Sequence, residues 1–136
     1  MKNTGLKRMA EAPREVRLNP AKDLLNVVWN DREVSLRAEY LRVESPSAEV
    51  KGHGVGQARL VSGKAAVTIK SLEAVGAYAL RITFSDGHNT GLYTWDYLGE
   101  LAAQEAERWQ TYLTDLERAR LSRDKAGPVV LRRELA

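Results

Sequence analysis

From about Thr94 to Ala119, apolar side chains recur every three or four residues: Trp95, Leu98, Leu101, Ala102, Trp109, Tyr112, Leu113 and Leu116. That spacing draws one apolar stripe along a long helix, and such a stripe has to be buried against another layer of structure. Thr94 stands where a capping hydroxyl belongs, and Asp96 in the first turn suits the positive end of the helix dipole. Arg118 and Arg120 fall near the negative end, so the helix is expected to close at about Ala119. Lys125-Ala126-Gly127-Pro128 then ends regular structure.

The layer that receives this helix is written upstream with period two. Glu15-Val16-Arg17-Leu18-Asn19 alternates and stops at Asn19-Pro20. Leu24-Leu25-Asn26-Val27-Val28-Trp29 is rich in strand formers, and Asn30-Asp31 suits a tight turn into Glu33-Val34-Ser35-Leu36. Val67 and Ile69 alternate with Thr68 and Lys70, and Tyr78, Leu80, Ile82 and Phe84 with Ala79, Arg81, Thr83 and Ser85. Gly91-Leu92-Tyr93 adds a short strand. Tyr40, Leu41 and Val43 share a face of a short helix that ends near Ser45-Pro46, since proline disfavours helix at the residue before it. Residues 48–63, with Gly52, Gly54, Gly56 and Gly63, predict a loop with a short strand at Ala58-Arg59-Leu60-Val61. The expected architecture is α+β: a mainly antiparallel β-sheet with one short helix and a long C-terminal amphipathic helix packed on it.

At 136 residues the chain predicts one domain. Residues 1–14 lack periodicity and form a flexible basic segment, 15–124 the folded domain, and 125–136 a tail whose Val129-Val130-Leu131 adds an edge strand or docks on the body. The absence of cysteine excludes disulfides, thiolate metal sites and thiol catalysis. No apolar run approaches a membrane span and no secretory signal opens the chain, so a cytoplasmic protein without membrane attachment is expected. The net charge of +3 and pI near 9.3 invite nucleic acid. However, the excess sits at the two ends, among them Lys2, Lys7, Arg8 and Arg14, then Arg118, Arg120, Arg123, Lys125, Arg132 and Arg133. Basic ends of this kind are solvated tails rather than a groove, and nucleic acid is not the expected partner.

Two segments carry polar chemistry in tight turns. Gly52-His53-Gly54-Val55-Gly56-Gln57 is either a binding loop, with backbone N–H groups open to an anion or a partner, or a plain connection whose glycines satisfy turn geometry. Asp86-Gly87-His88 is a hairpin turn in which Asp86 and Gly87 take positive φ. Alternatively, Asp86 and His88 form half of a weak divalent-metal or proton-exchange site that His53 completes. Trp95, Trp109 and Tyr112 are expected in the core, with Tyr97 the aromatic residue to reach the surface. Glu39, Glu44 and Glu49 are expected as solvated carboxylates.

Ala38 to Val50, Gly52-His53-Gly54-Val55-Gly56-Gln57, Asp86-Gly87-His88, Tyr93-Thr94-Trp95-Asp96-Tyr97-Leu98 and Ser122-Arg123-Asp124 together resemble the DUF971 family. These are small bacterial proteins similar to the N-terminal domain of γ-butyrobetaine hydroxylase, and a related domain is attached to an iron–sulfur carrier in plastids. In the hydroxylases this domain holds zinc through three cysteines and a histidine. By that resemblance the cysteine positions fall on Ser45, Ser47 and Val50 and the histidine on His88, so the zinc cofactor is expected to be lost. Neither His53 nor His88 begins a His-x-Asp/Glu motif, and the chain is too short for an added jelly roll, so oxygenase activity is not expected.

The resemblance implies a non-enzymatic accessory module that binds a protein partner. Its expected surface comprises Gly52, His53, Gly54, Gln57, Asp86, Gly87, His88, Thr90, Trp95, Asp96 and Tyr97. The alternative is a metal-binding protein linked to iron or iron–sulfur handling through His53, Asp86 and His88.

Overall fold

A computed structural model describes residues 11–52 and 56–135. The first strands, β1 (Glu15–Leu18), β2 (Leu24–Val28) and β3 (Glu33–Arg37), form an antiparallel meander in that order. Its register sets Leu25 opposite Leu36 and Val27 opposite Val34, which places their apolar side chains together. The β2–β3 turn closes with Trp29 N–H donating to the Arg32 carbonyl at 2.7 Å, and neither Asn30 nor Asp31 takes a positive φ.

Helix α1 (Ala38–Val43) follows without a loop and is buried on every side, Glu39 and Arg42 included. Residues 48–51, expected as loop, form one further turn, α2 (Ala48–Lys51). Its apolar Val50 is buried, which gives this short turn a reason to dock.

A second antiparallel sheet holds β5 (Ile69–Val75), β6 (Ala79–Phe84) and β7 (Leu92–Thr94). Leu80, Ile82 and Phe84 point inward as their alternation requires. Tyr78 does not join them: it lies in the β5–β6 turn and is 46% exposed. A short ladder pairs β4 (Arg59–Leu60) with β8 (Val130–Leu131), so the C-terminal segment does add an edge strand before a closing 3₁₀ turn (Arg132–Leu135).

The C-terminal helix is divided. Helix α3 (Trp95–Ala103) ends at Gln104, whose φ of −109° and ψ of 16° depart from helix, and α4 (Glu105–Ala119) starts afresh. The Tyr40 hydroxyl donates to the Leu101 carbonyl at 2.7 Å, the acceptor that Glu105 N–H would take in an unbroken helix. Thr94 caps α3 as expected, its Oγ1 accepting from Tyr97 N–H at 3.1 Å. The division lets Trp95, Leu98 and Leu101 pack with the two larger sheets, while Tyr112 and Leu116 pack with Val43, Leu60 and Val61.

Candidate functional site

The site forms where α1 ends and the β6–β7 connection folds over it. Gly91 makes the close approach possible: a Cβ there would lie 2.5 Å from Ser45 Oγ and 3.0 Å from Pro46 Cδ. The Asp86-Gly87-His88 turn is held by Gly87 N–H on the Phe84 carbonyl and Phe84 N–H on that of His88. Only Gly87 takes the positive φ, at 91°; Asp86 does not, because its carboxylate accepts from His88 N–H at 3.1 Å in an ordinary Asx geometry.

His88 is the centre of the cluster, with its side chain only 5% exposed. Nε2 lies 2.9 Å from Ser45 Oγ and 3.4 Å from Ser47 Oγ, and Nδ1 lies 3.2 Å from Glu49 Oε1. Burial pushes the imidazole below its ordinary pKa and the nearby Arg42 charge adds to this, against Glu49 and Asp86. The ring is therefore neutral at pH 7, with Nδ1–H donating to the Glu49 carboxylate and Nε2 accepting from Ser45.

Asp86 faces a different set of groups. Its Oδ2 is 2.8 Å from Arg42 Nε and 2.6 Å from Lys64 Nζ. Burial pushes this carboxyl up, but the bonds from Lys64, His88 N–H and Arg42 outweigh it and hold the pKa at about 2. Arg42 lies within the short buried helix, where its Nη1 is buried without a partner among the described residues.

The remaining polar groups fasten backbone. Tyr93 donates to the Leu41 carbonyl at 2.5 Å, Tyr97 to that of Glu44 at 2.6 Å and Tyr112 to that of Val61 at 2.8 Å. Burial raises all three phenols, so they act as fixed donors. The solvated reading fails for Glu39 and Glu44. Glu39 is 6% exposed and takes a two-pronged bond from Arg123, at 2.7 and 2.8 Å, and Glu44 is buried beside Arg108 at 2.8 Å. Glu49 alone of the three is largely exposed.

Of the expected surface, Thr90 and Asp86 reach solvent, while Trp95 is buried with its Nε1 on the Ala77 carbonyl and belongs to the core. Tyr97 is half-buried rather than exposed, because its hydroxyl turns inward to Glu44; Asp96 is half-buried too. Gly52 closes α2 and packs against Gln57. His53 and Gly54 lie outside the described residues, and with them the proposed partner of His88. Among the described residues no group of three or more His, Cys, Asp or Glu stands together as a metal site.

Ser45, Ser47 and His88 do converge, and Val50 is buried on the adjoining turn. Zinc takes thiolate, imidazole or carboxylate ligands. Two neutral hydroxyls and a valine do not fit it, and the hydroxyls are already engaged with the imidazole.

Sequence reasoning missed the cations of this region. Arg42, the one basic residue among apolar neighbours in α1, was a signal that a buried acid would meet it. Lys51, Arg59, Arg108 and Arg132 gave none, since they converge from distant segments. Arg132, assigned to a solvated tail, turns back to within 3.6 Å of Asp115.

Fold and site define a small α+β domain whose polar groups are largely turned on one another around a buried histidine. The family model for the γ-butyrobetaine hydroxylase-like N-terminal domain matches residues 16–99, and the chain belongs to that family. It is 42% identical to a protein solved by NMR in solution, over 89% of this chain and 95% of that one, with a TM-score of 0.75. A second NMR structure is 36% identical over 93% of each chain, with a TM-score of 0.74. A crystal structure of a protein of unknown function in the DUF971 family, from Acidithiobacillus ferrooxidans, is 39% identical. It covers 67% of this chain and 92% of its own, with a TM-score of 0.55. No curated protein matches the chain. No helix among the described residues is long and apolar enough to cross a membrane.

Proposed function

We propose that this protein is a non-enzymatic accessory module that binds another protein and has no resident metal. The observation that carries this reading is the internal use of the site's reactive groups. Both nitrogens of His88 have partners within the fold, and Asp86 is held by two cations. A general base or a metal ligand needs a lone pair that reaches its substrate or ion. The imidazole lone pair is instead turned to Ser45, and the phenols are turned to backbone carbonyls.

In-cell cross-linking followed by titration of the purified pair tests the reading. The expected result is one partner at fixed stoichiometry, together with sub-stoichiometric metal in unchelated protein. A protein that binds no partner and turns over a substrate, or that retains a metal ion in a ratio of one, overturns it.

A further inference from the structure

Lys51 of α2, Arg59 of β4, Arg108 of α4 and Arg132 of the closing 3₁₀ turn line one cleft of about 270 Å³. Val43 and Val50 give it an apolar wall, and Glu44 is the one acid in its lining. Bringing like charges together from four segments raises the energy of the free protein unless counter-charges accompany them.

The protein supplies counter-charges unevenly. Arg108 is fully engaged, with Glu44 at 2.8 Å, Glu100 at 2.6 Å and Gln104 at 2.7 Å. Arg132 reaches Asp115 only at 3.6 Å. Arg59 Nη1 donates to the carbonyls of Ala48 and Glu49, at 3.2 and 3.3 Å, and among the described residues no carboxylate lies within salt-bridge distance of it. Lys51 Nζ lies 4.2 Å from the centroid of the Tyr97 ring and likewise meets no carboxylate. Burial lowers the Lys51 pKa and the Arg108 charge lowers it further, outweighing the opposite pull of Glu100 and Glu44.

We propose that this cleft receives the acidic side chains of a partner polypeptide, with their carboxylates between Lys51, Arg59 and Arg132 and their methylene stems on Val43 and Val50. The proposal rests on the docking reading above and names the chemistry of the partner. The apolar wall favours a carboxylate on a short hydrocarbon stem over a bare oxyanion. Nucleic acid is disfavoured because the cationic track does not continue: the adjoining depression shares Arg108 and Arg132 with the cleft, adds no further cation, and sets Glu44 and Glu107 against a phosphate backbone.

The probe is a fluorescein-labelled hexapeptide of alternating glutamate and leucine, titrated by anisotropy. Saturable binding that weakens about tenfold between 0.05 and 0.5 M salt is expected. Lys51→Gln is expected to weaken it about fivefold or more, and Arg17→Gln, an exposed cation on β1, to leave it unchanged. Arg59→Gln removes bonds to the α2 carbonyls and is read only alongside a thermal unfolding curve; Lys51→Gln breaks no side-chain hydrogen bond and carries the test without it. Absence of saturable binding, affinity unaltered by Lys51→Gln, or equal binding of free glutamate or oligothymidylate overturns the assignment. If Lys51→Gln still retains the cross-linked partner fully, the docking reading stands and the cleft assignment falls.

Discussion

His88 is more acidic in the folded chain than its ordinary value of 6.5, first because it is buried and then because Arg42 is near. A base whose folded pKa is depressed gives stability that is complete above the unfolded pKa and is lost as pH falls below it, since the unfolded chain takes up the proton first. Folding stability should therefore decline as pH falls below about 6.5. Asp86 acts in a separate window: its folded pKa of about 2 lies below 3.8, so its contribution is full above 3.8 and lost as pH falls toward 2. That contribution is about 1 kcal/mol once solvent screening of the partly exposed carboxylate is allowed for. Urea midpoints at pH 7, 6 and 5 check the histidine. The wild type should fall and His88→Gln should be nearly flat; an equal fall in both would assign the dependence to another group. Gly91→Ala tests the packing beside it. With a Cβ 2.5 Å from Ser45 Oγ, the variant should lose about 2 kcal/mol and displace the Ser45–His88 bond, seen as shifted imidazole resonances.

Elements differ in how clearly the sequence announces them. Strands β1 to β3 and β6, helix α1 and the Thr94 cap were legible because each depends on neighbours two to four residues away. The division at Gln104 was not legible: Ala102-Ala103-Gln104-Glu105 has neither proline nor glycine, and its cause is a phenol on Tyr40, far away in sequence. Helix α2 was hidden for a similar reason, since four residues between a proline and glycines form a turn only when the body offers Val50 a place. The candidate site was half legible. His88 could be singled out, but its neutrality depends on burial and on Arg42 nearby, and its bonds to Ser45, Ser47 and Glu49 are likewise made only by the fold. The joint between α1 and α2 makes the family resemblance testable. If Ser45, Ser47 and Val50 occupy the cysteine positions, Ser45→Cys, Ser47→Cys and Val50→Cys together supply three thiolates around His88 Nε2. The triple variant should bind about one zinc per chain, measured by elemental analysis, and lose it on His88→Ala. No gain of zinc would mean that the spatial equivalence is wrong.

At the scale of the molecule, the last segment is a structural part of the domain. Arg123 grips Glu39, 84 residues away, through both prongs of its guanidinium, and its carbonyl accepts from Ala65 N–H at 2.9 Å. The next residues carry Val130 and Leu131 into the ladder with β4 and bring Arg132 to the cleft. The pair is asymmetric: Glu39 is 6% exposed, whereas the Arg123 side chain is 43% exposed. Removing the arginine strands a buried carboxylate, while removing the acid frees a cation that water can solvate. Arg123→Met should therefore cost about 3 kcal/mol and Glu39→Gln less, with the double variant recovering part of the loss. Arg123→Lys should fall between, because an ammonium cannot reproduce the two-pronged geometry. Denaturant titration of the four variants gives the coupling. Amide exchange locates it: Leu60 and Arg132, whose N–H donates to the Ala58 carbonyl, should exchange faster in Arg123→Met and stay protected in Lys51→Gln, which leaves the segment fastened. Uniform loss of protection across β2 and β6 would instead show that Arg123 stabilises the whole domain equally and does not act as the clasp of its C-terminal segment.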